Sequence, residues 1–375
     1  MTRLLIYCDH WQNGGVEAFL MNQLLHWDLR GWQCTILSAE KTTDIYDRQL
    51  KKLGVRQDFL LDGERTSPVF RILTTFSAFE AYLKAHPCDI LYLNLTNSVT
   101  MRYAQIAQKM GIKRRIVHSH CSGIQPGPTR FLKMIAHKFA RRLYSNCATD
   151  WWACSHAAAE FLFEKTVLPK VHYIPNAIEV GKFTFHLLAR QEIRRQLGVE
   201  EGDRLIGTVG RCTPEKNQIF LVKAFALARE KDPALKLLVV GDGPLRASLE
   251  QQARQLGVGD VCVFYGFTDT VGPLYSAMDL FCLPSALEGL GIVAIEAQAN
   301  GCPCLLSDKV PKEAQAGGNV CFLPIDAPSR WVEPMIRLSE FQERAKQGSV
   351  SQEYDIAQSA IQLQKYLCAD KETSI

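Results

Sequence analysis

Short, almost uninterrupted apolar runs recur along the chain, and a longer stretch with helical spacing follows most of them. LLIYC (4–8), CTILS (34–38), DILYLN (89–94) and RRIVHSH (114–120) form a first series. RLIGTVG, LKLLVVGDG, VCVFYGF, DLFCLP and CPCLLS form a second after residue 200. Strands that are apolar on both faces belong to parallel sheets covered by helices, so the pattern predicts an α/β chain. GGVEAFLMNQLLHWDLRG, after the first run, reads as a loop and helix. The rhythm breaks at YIPNAIEVGKF (173–183), where Pro175 and Asn176 intervene, and then restarts. This predicts two Rossmann-like domains facing a central cleft, 1–178 and 179–353. In such sheets ligands bind beyond the carboxyl ends of the strands, which directs attention to the residues following each run.

Length agrees with two domains, because 375 residues exceed what one core usually holds. A net charge of +4, with no recognition-helix, zinc-finger or RNA-binding signature, gives no reason to expect a nucleic-acid partner. Several of the 13 cysteines lie inside apolar runs (Cys8, Cys262, Cys282), as small buried hydrophobes do in a reducing compartment. Cys302 and Cys304 lack the second pair a zinc site needs, so no metal is expected. The apolar stretch in MTRLLIYCDH is too short for a leader, and no run approaches the ~20 residues of a membrane span. The expected location is cytoplasmic, with any membrane contact peripheral.

The loops after the strands carry the candidate chemistry. Gly14-Gly15 precedes a helix and suits either a close approach to an anion or a plain turn. His118 and His120 share a face if their strand extends that far. Arg211 and Lys216, five apart across a loop containing Pro214, suit a diphosphate, although two solvated charges would read the same way. Asp242-Gly243-Pro244 is a tight turn of a common kind. The most informative stretch is EGLGIVAIE (288–296), with a carboxylate at each end of an apolar run. Neither charge is stable there without a partner. Gly289, Leu290 and Gly291 would offer N–H groups to a phosphate at the start of a helix. Glu296 would accept from a vicinal diol such as ribose, which leaves Glu288 beside whatever hangs from the phosphate.

RFLKMIAHKFARRL (130–143) has Phe131, Leu132, Ile135, Phe139 and Leu143 at helical spacing among Arg130, Lys133, Lys138, Arg141 and Arg142. Two readings fit. The helix either buries this stripe in its domain or lies on an anionic membrane surface.

The segments GGVEAFL, RRIVHSH, YIPNAIE, VGRCTPEKN, VVGDGPL, VFYGF and LPSALEGLGIVAIEAQANGCP resemble, in order and over essentially the full length, the retaining GT-B glycosyltransferases of family 4. The last contains the paired-glutamate motif, and SDKVPKEA and YDIAQSAIQLQKYL resemble the exopolysaccharide and capsule branch. The resemblance implies transfer of a sugar from a nucleotide-diphosphate sugar, with uracil the usual base, to a glycan or lipid-linked glycan acceptor. By position it makes Arg211 and Lys216 diphosphate ligands, Glu296 the ribose ligand and Glu288 the carboxylate beside the transferred sugar. His120 falls on the active-site histidine, with His118 as second choice, and Gly14 and Gly15 form the loop facing the phosphates. Gly241, Gly243 and Phe267 accompany the donor site, and the final helix, about 354–375, packs back on the first domain. The chain departs from the family at Asn94-Leu95-Thr96-Asn97, so no acceptor role is carried over there.

There is no Asp-x-Asp metal motif, and the resemblance implies neither metal nor cofactor. A nucleotide-sugar epimerase and a non-catalytic two-domain binding protein are the competing readings. A dehydrogenase is excluded by the lack of GxGxxG after the first run.

Overall fold

The structure is a computed structural model and describes residues 1–12, 14–61, 68–124, 127–340 and 350–369, with 68–73 as backbone only. The chain divides into two compact units: Met1–Ala177 with the segment from Ile356 onward, and Ile178–Asp355. Among the described residues the first unit holds β1 (Thr2–Trp11), β2 (Trp32–Lys41), β3 (Arg56–Phe59), β4 (Ile90–Leu95), β5 (Arg114–Ser119), β6 (Asp150–Ala153) and β7 (Val171–Tyr173). They pair in the order β3-β2-β1-β4-β5-β6-β7, all parallel. The second unit holds β8 (Arg204–Val209), β9 (Leu235–Val240), β10 (Cys262–Gly266), β11 (Leu280–Leu283), β12 (Cys304–Ser307) and β13 (Val320–Leu323). Their order is β10-β9-β8-β11-β12-β13, again parallel.

Nine of these strands coincide with the apolar runs of the sequence. The other four, β3, β6, β7 and β13, are as short as β11 and β12 but, unlike them, are not buried at every position.

In the first unit the helix Gly15–His26 and the terminal helix Ile356–Cys368 pack together. Phe19, Leu20, Leu24 and Trp27 share a core with Ala360, Leu363 and Leu367. Gln23 Nε2 donates to Ser359 Oγ at 3.1 Å, and the Arg114 guanidinium, at the start of β5, donates to the main-chain carbonyls of Tyr366 and Leu367. The terminal helix is therefore part of the first unit's core.

In the second unit Asp279, buried just ahead of β11, accepts from Arg190 at 2.5 Å, from Arg194 at 2.9 Å and from the Leu205 N–H at 2.8 Å. Two cations and a main-chain donor satisfy this carboxylate, as a buried charge requires. The cluster ties the helix Leu187–Gln196 to the beginnings of β8 and β11.

The turns leaving β8 and β9 interlock at the opposite strand ends. Gly241 has φ +128°, and a Cβ there would lie 2.1 Å from the Gly210 carbonyl oxygen. Only glycine permits that approach. Cys212 N–H then donates to the Asp242 carbonyl at 2.9 Å, and Leu245 N–H donates back to the Cys212 carbonyl at 3.0 Å. The loop that carries Arg211 and Lys216 is thus strapped to its neighbour.

Candidate active site

At the carboxyl end of β1, Gly14 caps the helix Gly15–His26. A Cβ on Gly14 would lie 2.6 Å from a Glu17 carboxylate oxygen, whereas one on Gly15 would meet nothing within 4 Å. The Glu17 carboxylate is the end of a flexible side chain that can move aside, so neither position requires glycine for its packing in this unit. Buried Glu17 sits in the helix's first turn, so an anion bound at this loop would share the helix end with a carboxylate.

His118 ends up inside β5, and His120 lies just beyond it, tied by its N–H to the Leu95 carbonyl at 3.1 Å. The two rings share a face, with centroids 4.0 Å apart, and both pack on Phe19. His118 Nδ1 pairs with the Tyr92 hydroxyl at 2.7 Å, and His120 Nε2 with Asn94 Oδ1 at 2.9 Å. Burial pushes the His120 imidazole down to about 3 and holds His118 well below its ordinary range, with neighbouring His120 adding to the effect. Both rings are neutral at physiological pH.

In the second unit the strand-end loops bring charge to charge. Lys216 Nζ bonds Glu288 Oε1 at 2.5 Å, and Ser285 Oγ donates to the same oxygen at 2.7 Å. A main-chain bond from Ala286 N–H to the Glu215 carbonyl at 2.8 Å runs beside this pair. Lys216 is followed by Asn217, which has left-handed backbone (φ 54°) and caps the helix Gln218–Lys231. Asparagine tolerates that conformation better than most residues. The Arg211 side chain is exposed and makes no ion pair among the described residues.

Gly291, at φ +92°, caps the helix Ile292–Ala299, and Leu290 beside it is buried. Glu296 lies one turn into that helix, and its Oε2 accepts from the Tyr275 hydroxyl at 2.8 Å. Burial pushes its carboxyl up to about 7, with the Tyr275 bond opposing the rise. Gly243, in the turn after β9, has φ +153°, and a Cβ there would press on the Cys212 backbone. Phe267, just past β10, is exposed.

The helix Arg130–Tyr144 does not bury its apolar stripe in its own unit. It is anchored by His137 and Ala140, and His137 bridges the Ser98 N–H and the Phe161 carbonyl. Phe131, Leu132, Phe139 and Leu143 are 75%, 67%, 69% and 64% exposed, and Ile135 is 40% exposed. The apolar stripe therefore points away from the anchored face, into solvent. Arg141 is held by Glu164 at 3.0 Å, which leaves Arg130, Lys133, Lys138 and Arg142 as the exposed basic residues.

Spacing along the chain did not reveal Ser285, Tyr275, Tyr92, Asn94 or Phe19, because each reaches its partner through the fold. Among the described residues no group of three or more His, Cys, Asp or Glu is arranged to hold a metal ion, and no helix is long and apolar enough to cross a membrane.

Two family models match the two units in turn. Residues 14–177 match the glycosyl transferase 4-like domain, and residues 189–320 match glycosyl transferases group 1. With the paired parallel sheets, they define the class: the chain is a GT-B glycosyltransferase of the group 1, 4-like type, acting on nucleotide sugars. It is 29% identical over 339 residues to EpsF of Bacillus subtilis, a protein assigned by name as a glycosyltransferase, covering 89% of this chain and 87% of that one. It is 24% identical over 276 residues to the Escherichia coli UDP-Gal:α-D-GlcNAc-diphosphoundecaprenol α-1,3-galactosyltransferase, covering 72% and 69% of the two chains. Its fold matches the crystal structure of Anabaena HepE in complex with UDP and glucose, with a TM-score of 0.77, 18% identity and coverage of 99% and 100%.

The raised Glu296 carboxyl sets a pH dependence. A diol donates to a carboxylate, so a ribose partner needs Glu296 ionised. Below about pH 7 the protonated form dominates, and affinity should fall about tenfold per pH unit. Calorimetric titration with UDP-glucose, whose diphosphate diester does not titrate there, should show a loss of about tenfold in all between pH 8 and 6, steepening below that. Glu296→Gln should bind more weakly and without the slope. A flat wild-type profile would remove Glu296 as the diol acceptor.

Proposed function

We propose that the protein transfers a sugar, with retention of configuration, from a UDP-sugar to a glycan or lipid-linked glycan acceptor in bacterial surface polysaccharide synthesis. The observation that carries the proposal is the placement of the two glutamates: Glu288 on Lys216 at the loop ends and Glu296 one turn inside the following helix. In this reading Lys216 and Arg211 neutralise the diphosphate with the helix N-termini, in place of a divalent ion. Glu296 takes the ribose, and Glu288 meets the transferred sugar. It acts there as a nucleophile or by steadying a front-face displacement assisted by the leaving diphosphate. His120 meets a hydroxyl of that sugar. The HepE complex with UDP and glucose and the UDP-Gal specificity of the E. coli relative support a UDP donor. That relative's diphosphoundecaprenol acceptor supports a lipid-linked one. No observation favours the epimerase or the non-catalytic reading.

The exposed stripe of the helix Arg130–Tyr144 supports peripheral docking on an anionic cytoplasmic membrane face, where a lipid-linked acceptor resides. Its apolar side chains enter the interface, and the flanking cations meet the headgroups.

A panel of UDP-sugars offered with a polyprenyl-diphosphate-linked sugar should give acceptor-dependent UDP release that survives EDTA. Glu288→Gln should lower turnover on the order of 10²–10³-fold while donor binding persists. Product formed from donor alone, or strict dependence on a divalent ion, would contradict the proposal.

In co-sedimentation the wild-type protein should pellet with vesicles containing phosphatidylglycerol and not with neutral ones. Lys133→Glu/Lys138→Glu/Arg142→Glu should abolish this, each cation contributing about 1 kcal/mol. Equal pelleting of variant and wild type would exclude this helix as the anchor.

A further inference from the structure

The contact that fixes His120 comes from Asn94, in the stretch where the sequence departs from its family. Asn94 lies in β4, is almost fully buried, and sits between Cys8 of β1 and His118 of β5 in register. Its side chain bridges two groups. Nδ2 faces the Tyr7 carbonyl at 3.4 Å, and Oδ1 faces His120 Nε2 at 2.9 Å. The Tyr7 carbonyl only accepts, so the amide end that faces it is the NH₂. The reverse orientation would set oxygen against oxygen at Tyr7. With Oδ1 facing the ring, His120 Nε2 must donate, and the proton of the neutral imidazole resides there.

The other nitrogen is then a bare acceptor. His120 Nδ1 is buried and has no hydrogen-bond partner among the described residues. An acceptor left unpaired in the interior is costly unless something outside the protein supplies the proton. Burial keeps the ring neutral, so the lone pair stays available throughout the physiological range. Phe19 covers the ring on one side at 5.1 Å between centroids, and His118 lies 4.0 Å away, so the imidazole has little freedom to turn.

We propose that Asn94 is a positioning residue that holds His120 as its Nε2–H tautomer, so that Nδ1 presents a lone pair to a hydroxyl of the transferred sugar. The inference rests on the reading of His120 as the residue that meets that sugar, and it adds a rule for which sugars are accepted. A lone pair receives an O–H and repels a carboxylate oxygen. A sugar with a hydroxyl at the contacted carbon is therefore preferred over its deoxy or uronic-acid counterpart. The opposite tautomer would present N–H and reverse the preference for the acid.

The test is two-bond proton–nitrogen NMR on the ¹⁵N-histidine-labelled full chain, with His120 assigned from His120→Gln. In the wild type Nδ1 should resonate as the unprotonated nitrogen and Nε2 as the protonated one. Adding the UDP-sugar turned over best should move Nδ1 toward the hydrogen-bonded position, and UDP alone should not. Asn94→Leu should lose the tautomer preference and lower kcat/KM about tenfold, with donor affinity little changed. An Nδ1–H tautomer in the wild type, a measurement that needs no variant to fold, would overturn the inference. So would Asn94→Leu with an unchanged spectrum and rate. The underlying reading fails separately: His120→Ala with undiminished turnover would remove His120 from the reaction, whatever its tautomer.

Discussion

A carboxylate in an apolar wall persists only where something answers its charge, and the second unit is organised around that requirement. The EGLGIVAIE stretch places Glu288 and Glu296 at the two ends of a buried run. Glu288 is answered by Lys216, which comes from the loop after β8, while Glu288 itself follows β11. These strands are neighbours in the sheet, so the ion pair clamps two adjacent loops at the end where open parallel sheets bind ligands. Glu296 is answered only in part. The Tyr275 hydroxyl satisfies one oxygen, and burial keeps the carboxyl raised in spite of that bond. One glutamate is held firmly and the other remains open to a donor from outside.

The first unit applies the same rule to neutral groups. His118 and His120 are buried deeply enough to lose their charge, and each spends one nitrogen on a partner from β4, Tyr92 or Asn94. The remaining nitrogens, His118 Nε2 and His120 Nδ1, have no protein partner among the described residues. What sets these two apart is that both belong to one pair of adjoining rings, 4.0 Å apart between centroids, at the carboxyl end of β5.

The fold was legible because parallel strands buried on both faces leave apolar runs that no surface element imitates. β1, β4, β8 and β9 could be read directly, as could Gly291 ahead of the helix that carries Glu296. β7 and β13 escaped because they are short and, unlike the equally short β11 and β12, nowhere fully buried. Within the site, residue types pointed to Arg211, Lys216 and the two glutamates, but not to the Lys216–Glu288 bond, since 72 positions separate the partners and only the sheet order brings them together. Tyr275 and Asn94 were invisible for the same reason. The basic apolar helix Arg130–Tyr144 had two readings because helical spacing identifies a stripe and not the side on which the protein lies. His137 and Ala140 settle that, by anchoring the opposite face.

The division of labour in the second unit is tested most directly by calorimetric titration of one ligand ladder: a UDP-sugar, UDP and uridine. If Lys216 answers the diphosphate and Glu296 the ribose, Lys216→Ala should weaken the UDP-sugar and UDP by about 10–100-fold and leave uridine unchanged. Glu296→Gln should weaken all three. Uridine losing as much as UDP from Lys216→Ala, or keeping its affinity in Glu296→Gln, would contradict the assignment of the two carboxylate loops to two parts of one ligand.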